Sequence, residues 1–328
     1  MKRGALIFWT IYSLFFAIPF PMIIYYSTTN QDDINGLRES NPWLSLFILA
    51  ASIIMWIVVL VVFYQKWVLN VFTSKKNIEY LEKEGEPREA RILSVKKVTR
   101  PGAEMDTYLL ELAFKNLVGT EIVQKSGVTD SKPFERRYEV GKKVVLLIDK
   151  EMKRIPYFIF SGTIVKIHTK IVLFRTLGVL AILVVLLGYY VYAYQSESHG
   201  MGWRFMSFGH PLIVCPLVLL FYRILVDLVV NKLGGDYRDN SPLIKFKGVR
   251  TNARLISASQ TGTYINEQPM IRFELEYTDD KQQTYNGNIK KIVNLLDLNS
   301  IKVEHMEIFY LKSDPTRIAF ASDLNELS

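Results

Sequence analysis

The chain has 328 residues, 49% of them hydrophobic, 13% aromatic and 22% charged, with a mean hydropathy of +0.14 and a formal net charge of +8. That apolar content excludes a disordered chain, and together with the charged share it suits apolar blocks alternating with water-soluble blocks better than one uniform globule. A single cysteine, Cys215, excludes an intramolecular disulfide and a cysteine-built zinc cage.

Four apolar blocks stand out along the chain. Residues 5–26 and 43–65 carry no charge, and each is about the ~20 residues needed to cross a bilayer core. A third block covers residues 176–194 and a fourth residues 207–230, the last interrupted only by Arg223 and Asp227. Short polar loops separate the members of each pair, so the blocks read as two transmembrane hairpins at 1–65 and 169–231. Two polar segments, 66–168 and 232–328, follow them. The first block is read as a span and not as a cleaved signal, because no A-x-A-like site follows it.

Lys and Arg near the span ends resist translocation and set orientation. Lys2, Arg3, Lys66, Lys75, Lys76, Lys166, Lys170, Arg175, Lys232 and Arg238 lie on one side, against only Arg38 and Arg204 in the hairpin loops. The expected topology places both termini and both polar segments in the cytoplasm of a bacterial inner membrane, with only the hairpin tips outside.

The two halves superpose at an offset of 163 residues. Ala90-Arg91-Ile92-Leu93-Ser94 falls on Ala253-Arg254-Leu255-Ile256-Ser257, and Glu111-Leu112-Ala113-Phe114 on Glu274-Leu275-Glu276-Tyr277. Arg154-Ile155 likewise falls on Arg317-Ile318. Apolar spans align by composition alone, so these soluble matches carry the expectation of an internal duplication.

Within the polar segments, residues 271–277 alternate apolar and polar, which places Ile271, Phe273, Leu275 and Tyr277 on one face of a strand. Further strands are predicted at 283–289 and 306–311, and in the first segment at 90–95, 108–114, 120–124, 144–148 and 157–160. Short strands at this density suggest a small curled sheet or barrel in each segment, since closure removes exposed edges. Helices are predicted at 74–84 and 290–298, and Gly234-Gly235 with Asn240-Ser241-Pro242 reads as a linker. The fold class is therefore membrane α plus β: four spans in two hairpins, each hairpin followed by a small β-barrel-like domain.

The opening strand Ala253–Ser257, the middle Phe273–Tyr277 and the closing Tyr310-Leu311-Lys312-Ser313-Asp314-Pro315 resemble a family of bacterial membrane proteins carrying a small β-rich domain of unknown function. In that family the closing element reads Tyr-Asp-Pro-x-Asn-Pro. Here Leu311-Lys312 replaces its first Asp-Pro, and Asp149-Lys150-Glu151-Met152 in the first segment lacks the proline signature. The resemblance implies the domain fold and membrane association, and it supplies no activity.

Catalytic chemistry leaves little trace. His168, His199, His210 and His305 form no metal-binding spacing, and the phosphate-binding and nucleophile-elbow patterns are absent from the sequence. A non-enzyme without cofactor or metal is expected. Arg223 and Asp227, four residues apart on one helix face, form a candidate intramembrane ion pair near the cytoplasmic end of the fourth span. Pro19, Pro21, Pro211 and Pro216 are candidate helix kinks. Tyr189, Tyr190, Tyr192 and Tyr194 read as an aromatic belt, and Arg175 as an interfacial anchor.

Residues 66–168 hold 20 basic against 14 acidic residues and 232–328 hold 13 against 13, so the excess charge sits in the first polar segment and the span flanks. Lys96, Lys97, Arg136, Arg137, Lys142 and Lys143 are candidate lipid-facing residues. Scattered among acidic neighbours and without a stacking set, they do not describe a nucleic-acid surface. The expected partners are the lipid bilayer and a protein partner or the chain itself. The functional expectation is a scaffold whose two β-modules bind a protein or each other. The alternatives are an immunity protein against a membrane-directed toxin and a channel or transporter component.

Overall fold

The computed structural model describes residues 3–29, 36–99, 102–103, 105–265, 267–294 and 304–326. Of the residues invoked above, Lys2 and 295–298 lie outside them. The described chain divides into two compact units, 1–73 with 166–230 and 74–165 with 231–328, so the hairpins cluster together and the β-segments cluster together.

The helical unit contains α1 (Arg3–Ala17), α2 (Pro19–Thr28), α3 (Pro42–Tyr64), α5 (Thr169–Glu197) and the start of α6 (Pro211–Lys247). Four stretches are long and apolar enough to cross a membrane: Ile7–Thr28, Pro42–Glu84, Thr169–Glu197 and Pro211–Leu228. Pro19 separates α1 from α2 at Ile18, whose φ of −125° and ψ of −70° are not helical. Pro42 and Pro211 instead open helices, where the missing N–H is one of those left free at any helix start. Pro211 thus starts a helix instead of kinking one. Asn41 caps α3 by accepting from the Trp43 N–H at 2.9 Å.

Past its apolar stretch, α3 runs through a π-turn (Gln65–Leu69) into α4 (Asn70–Glu84), which covers the helix expected at 74–84. The expected linker at 234–242 is helical as well, because α6 continues unbroken to Lys247. Extending an existing helix adds one hydrogen bond per residue fixed, so glycines that would discourage nucleation can be absorbed into a helix already under way. Both α4 and α6 end at a glycine. A Cβ on Gly85 would collide with the carbonyl oxygen of Leu81, and one on Gly248 with that of Ile244.

The β-rich unit holds two five-stranded antiparallel sheets. The first comprises β1 (Glu86–Lys97), β2 (Asp106–Lys115), β3 (Glu121–Asp130), β4 (Lys143–Ile148) and β5 (Phe158–Phe160), in the order β3-β2-β1-β4-β5. The second comprises β6 (Gly248–Ile265), β7 (Gln268–Thr278), β8 (Thr284–Ile292), β9 (His305–Leu311) and β10 (Asp314–Phe320), in the order β10-β9-β6-β7-β8. A short helix, α7 (Ala321–Glu326), follows. Lys290 to Ile292, expected to begin a helix, belong to β8 and pair with β7. Edge pairing overrides local helix propensity there.

The registers correspond closely. Ala90 pairs with Phe114 and Ala253 with Tyr277; each sheet then bulges, between Ile92 and Ser94 in one and between Leu255 and Ser257 in the other. The β2–β3 and β7–β8 registers keep the same spacing, whereas the pairing of β6 with β9 is shifted by one residue relative to that of β1 with β4.

The sheets differ in closure. In the second, β10 approaches β8 so closely that a Cβ on Gly287 would strike the Ile318 side chain, and Tyr277 Oη donates to the Pro315 carbonyl across the seam. That sheet is barrel-like. The first is a half-barrel whose core is completed from the other half of the chain: Ile244, Phe246, Phe309, Leu311, Ala319 and Leu324 join Ala90, Ile92, Leu110, Leu112 and Ile148 in one buried cluster.

Candidate functional site

One polar cluster of the helical unit lies where the ends of α2 and α5 meet the start of α6. Glu197, the last residue of α5, accepts from Tyr25 Oη at 2.7 Å and from Tyr26 Oη at 2.9 Å. Tyr26 already donates to the carboxylate, so its contact of 3.1 Å with Tyr189 Oη has Tyr189 as donor. Tyr26 and Tyr189 are themselves 163 residues apart.

His210 is fully buried among Tyr25, Tyr189 and Phe205, with ring centroids 4.8, 6.4 and 5.4 Å away. Its Nδ1 accepts from the Leu212 N–H at 3.1 Å, which caps the start of α6. Neutral imidazole with Nδ1 accepting carries its proton on Nε2. Nε2 stands 3.3 Å from Glu197 Oε2, close enough for strong attraction but off the hydrogen-bonding axis. Two tyrosine hydroxyls thus donate to one carboxylate, and a buried imidazole that itself accepts from a helix-start N–H stands beside it. The donors here hold the chain's own Glu197 carboxylate; among the described residues no three or more His, Cys, Asp or Glu side chains group as metal ligands.

A second cluster continues along α6. Pro216 has no N–H to offer the Leu212 carbonyl, four residues earlier in the helix. That oxygen accepts instead from Ser52 Oγ at 2.6 Å and Trp56 Nε1 at 2.9 Å, both on α3, and Ser52 also contacts Tyr190 Oη at 2.6 Å. The proline therefore creates a polar joint between the hairpins. Nearer the tips, Arg204 donates to the Arg38 carbonyl at 2.8 Å, while its own carbonyl accepts from Ser40 and Ser45. Arg175 donates to the Trp67 carbonyl within the π-turn at 3.1 Å.

The polar residues singled out by sequence are placed elsewhere. Arg223 and Asp227 are both exposed on α6 and no ion pair joins them. An Arg preceding an acidic residue by four positions is the weaker order for such a pair. Of the six basic residues, five engage carboxylates: Lys97 with Asp106 at 2.8 Å, Arg137 with Asp130 at 2.7 Å, Lys142 with Glu139 at 2.9 Å, Lys143 with Glu89 at 2.8 Å and Arg136 with Glu139 at 3.9 Å. Lys96 is exposed on β1. Glu197 was legible as the only acidic residue of the loop at 195–206, but a topology count weighs Lys and Arg and passes over it.

Within the β-rich unit the junction between sheets is built on Asn116, fully buried after β2. Its Oδ1 accepts from the N–H groups of Val118 and Thr120 at 3.1 and 2.9 Å, shaping the β2–β3 turn. Its Nδ2 donates to the carbonyls of Lys245 and Gly248 at 3.0 and 2.8 Å, and the Leu117 N–H donates to the Phe246 carbonyl. The Lys245 side chain is buried there, and burial, with Lys125 nearby, brings its pKa down to about 8. Asp149 closes the β4–β5 turn. Burial pushes its pKa up, but N–H donors of Arg154, Glu151 and Lys153 and the Arg154 guanidinium outweigh burial and hold it below the ordinary carboxylate value.

No protein-family model, curated protein or solved structure matches this chain.

Proposed function

We propose that the protein is a non-catalytic, multi-pass membrane protein whose two hairpins anchor a cytoplasmic head that binds a protein partner. The observation that carries this reading is the shared core: the half-barrel of the first sheet is filled by Phe246, Phe309 and Leu324 from the second half, so the β-modules engage each other as one body. The basic excess on one side of the spans supports an inner-membrane protein with both termini in the cytoplasm. The common strand order and the bulges at Ile92 and Leu255 support an internal duplication, and the closing Tyr310–Pro315 element supports kinship with the bacterial β-domain family it resembles.

Affinity capture of the full chain from native membranes tests the binding role. A stoichiometric protein companion, retained by the wild type and lost on changing exposed head residues, is expected. Substrate turnover by the purified chain, or recovery of lipid alone, contradicts it.

One observation favours a second reading. The Glu197–His210–tyrosine cluster gathers titratable side chains at the loop ends of the spans, where the mouth of an ion or proton path would lie. Proton flux in proteoliposomes that disappears in Glu197→Gln would move the assignment to a channel or transporter component; flux absent from both proteins removes it.

A further inference from the structure

The connection between β3 and β4 carries an aromatic side chain that folding does not explain. Phe134 is 98% exposed, and Val140 in the same connection is 66% exposed. The segment holding Phe134 is nevertheless built. Asp130, buried at the end of β3, accepts from the Lys132 N–H at 3.0 Å and from Arg137 Nη2 at 2.7 Å, and Arg137 lies over the Tyr138 ring. Between these anchors Pro133–Glu135 forms a 3₁₀ turn, ended by Arg136 at φ 46°. A left-handed non-glycine residue is strained, so the turn is held by its surroundings. The result is an exposed phenylalanine in a segment that also exposes Lys132, Arg136 and Lys142 together with Glu135 and Glu139.

We propose that this tip inserts Phe134 into the headgroup layer of the bilayer that holds the chain's own spans, with Lys132, Arg136 and Lys142 on anionic lipid headgroups. An exposed aromatic ring in a segment that also exposes cations fits the membrane interface, where the ring enters the acyl boundary and the cations meet phosphates. The carboxylates within reach are Glu135, 3.1 Å from Lys132, and Glu139, 2.9 Å from Lys142 and 3.9 Å from Arg136. These are solvent-exposed pairs, which contribute little and exchange readily for other anions. Arg137 does not join the lipid contact, because it supports the loop through Asp130. Affinity through one ring and three cations is weak for a free protein, but a head tethered to spans works at high effective concentration near the bilayer.

The inference rests on the membrane-protein reading, and the experiment separates the two. In a Cys215→Ser background, a spin label is placed at Phe134→Cys or, as a reference within α5, at Val185→Cys, whose side chain is 72% exposed. The full chain is reconstituted in nanodiscs of phosphatidylcholine with phosphatidylglycerol, and collisions with oxygen and with an aqueous nickel complex are compared. The expected result is a label at 134 that favours oxygen over nickel, and that returns to water-like accessibility in pure phosphatidylcholine. With the label moved to Val140→Cys, combining Lys132→Glu and Arg136→Glu is expected to weaken membrane contact by on the order of tenfold or more. A lipid-exposed label at 185 with a water-exposed label at 134 overturns this inference alone. A label at 134 shielded from both relaxants overturns it in favour of a protein contact. A label at 185 that is not in lipid overturns the membrane reading and this inference together.

Discussion

Asn116 and Asp279 occupy corresponding places in the two sheets and make the same turn. Asn116 Oδ1 accepts from the N–H groups two and four residues on, and Asp279 Oδ1 accepts from Lys281 and Gln283 at 2.8 and 2.9 Å. Only the asparagine has a second, donating end, and that end ties the first sheet to the Lys245 and Gly248 carbonyls. The same contrast runs through the cores. The second sheet closes over its own Phe273, Leu275 and Tyr310, whereas the first stays open and is filled by Phe246 and Leu324. Two sheets of one strand order thus differ in autonomy, and a one-atom difference in a turn residue accompanies that difference.

The largest expected effect comes from Phe246→Ala. Its ring packs 6.2 Å from Phe114 and 5.7 Å from Phe158, so truncation opens the first sheet's core and costs about 3–5 kcal/mol in denaturant unfolding. Phe273→Ala should cost a similar amount but act through the second sheet, where the ring meets Phe320 at 5.3 Å. Asn116→Asp sharpens the contrast: the turn survives, two buried carbonyls lose their donor, and a carboxylate faces them. A loss of about 2–4 kcal/mol is expected, while Asp279→Asn should change stability far less.

Asp149→Asn removes an acceptor that suits three backbone N–H groups best when charged, and about 1–3 kcal/mol should disappear at neutral pH. Because the native carboxyl titrates below its unfolded value, its contribution is present above the unfolded pKa of about 4 and is lost as pH falls through the native pKa. Acid unfolding curves of wild type and Asp149→Asn should converge at low pH. Lys245 gives the smallest effect, with the opposite dependence. Its native pKa of about 8 lies below the unfolded value, so the charged form weakens the fold below pH 8 and the penalty fades as pH rises toward 10.5. Lys245→Met should raise the melting temperature slightly at pH 7 and lose that advantage at pH 10.

Strands with strong alternation, such as Ile271–Tyr277, were legible from sequence because one face is buried and register follows from period two. The helical stretch through Gly234 and Pro242 was not, since local composition reads as a linker and the continuation depends on the helix preceding it. Nor was the joining of the two β-segments, because Phe246 and Leu324 look like ordinary apolar residues until the open sheet they fill is seen. For the cluster around Glu197, the sequence carries Tyr25, Glu197 and His210 in three separate regions; only the meeting of helix ends brings them within 3.3 Å or closer.

Hydrogen exchange of the full chain in nanodiscs, wild type against Phe246→Ala, tests the shared core most directly. The account predicts faster exchange throughout β1–β5 from a substitution that lies outside that sheet's own segment. Unchanged protection in β1–β5, with loss confined to β6–β10 and the end of α6, would contradict it.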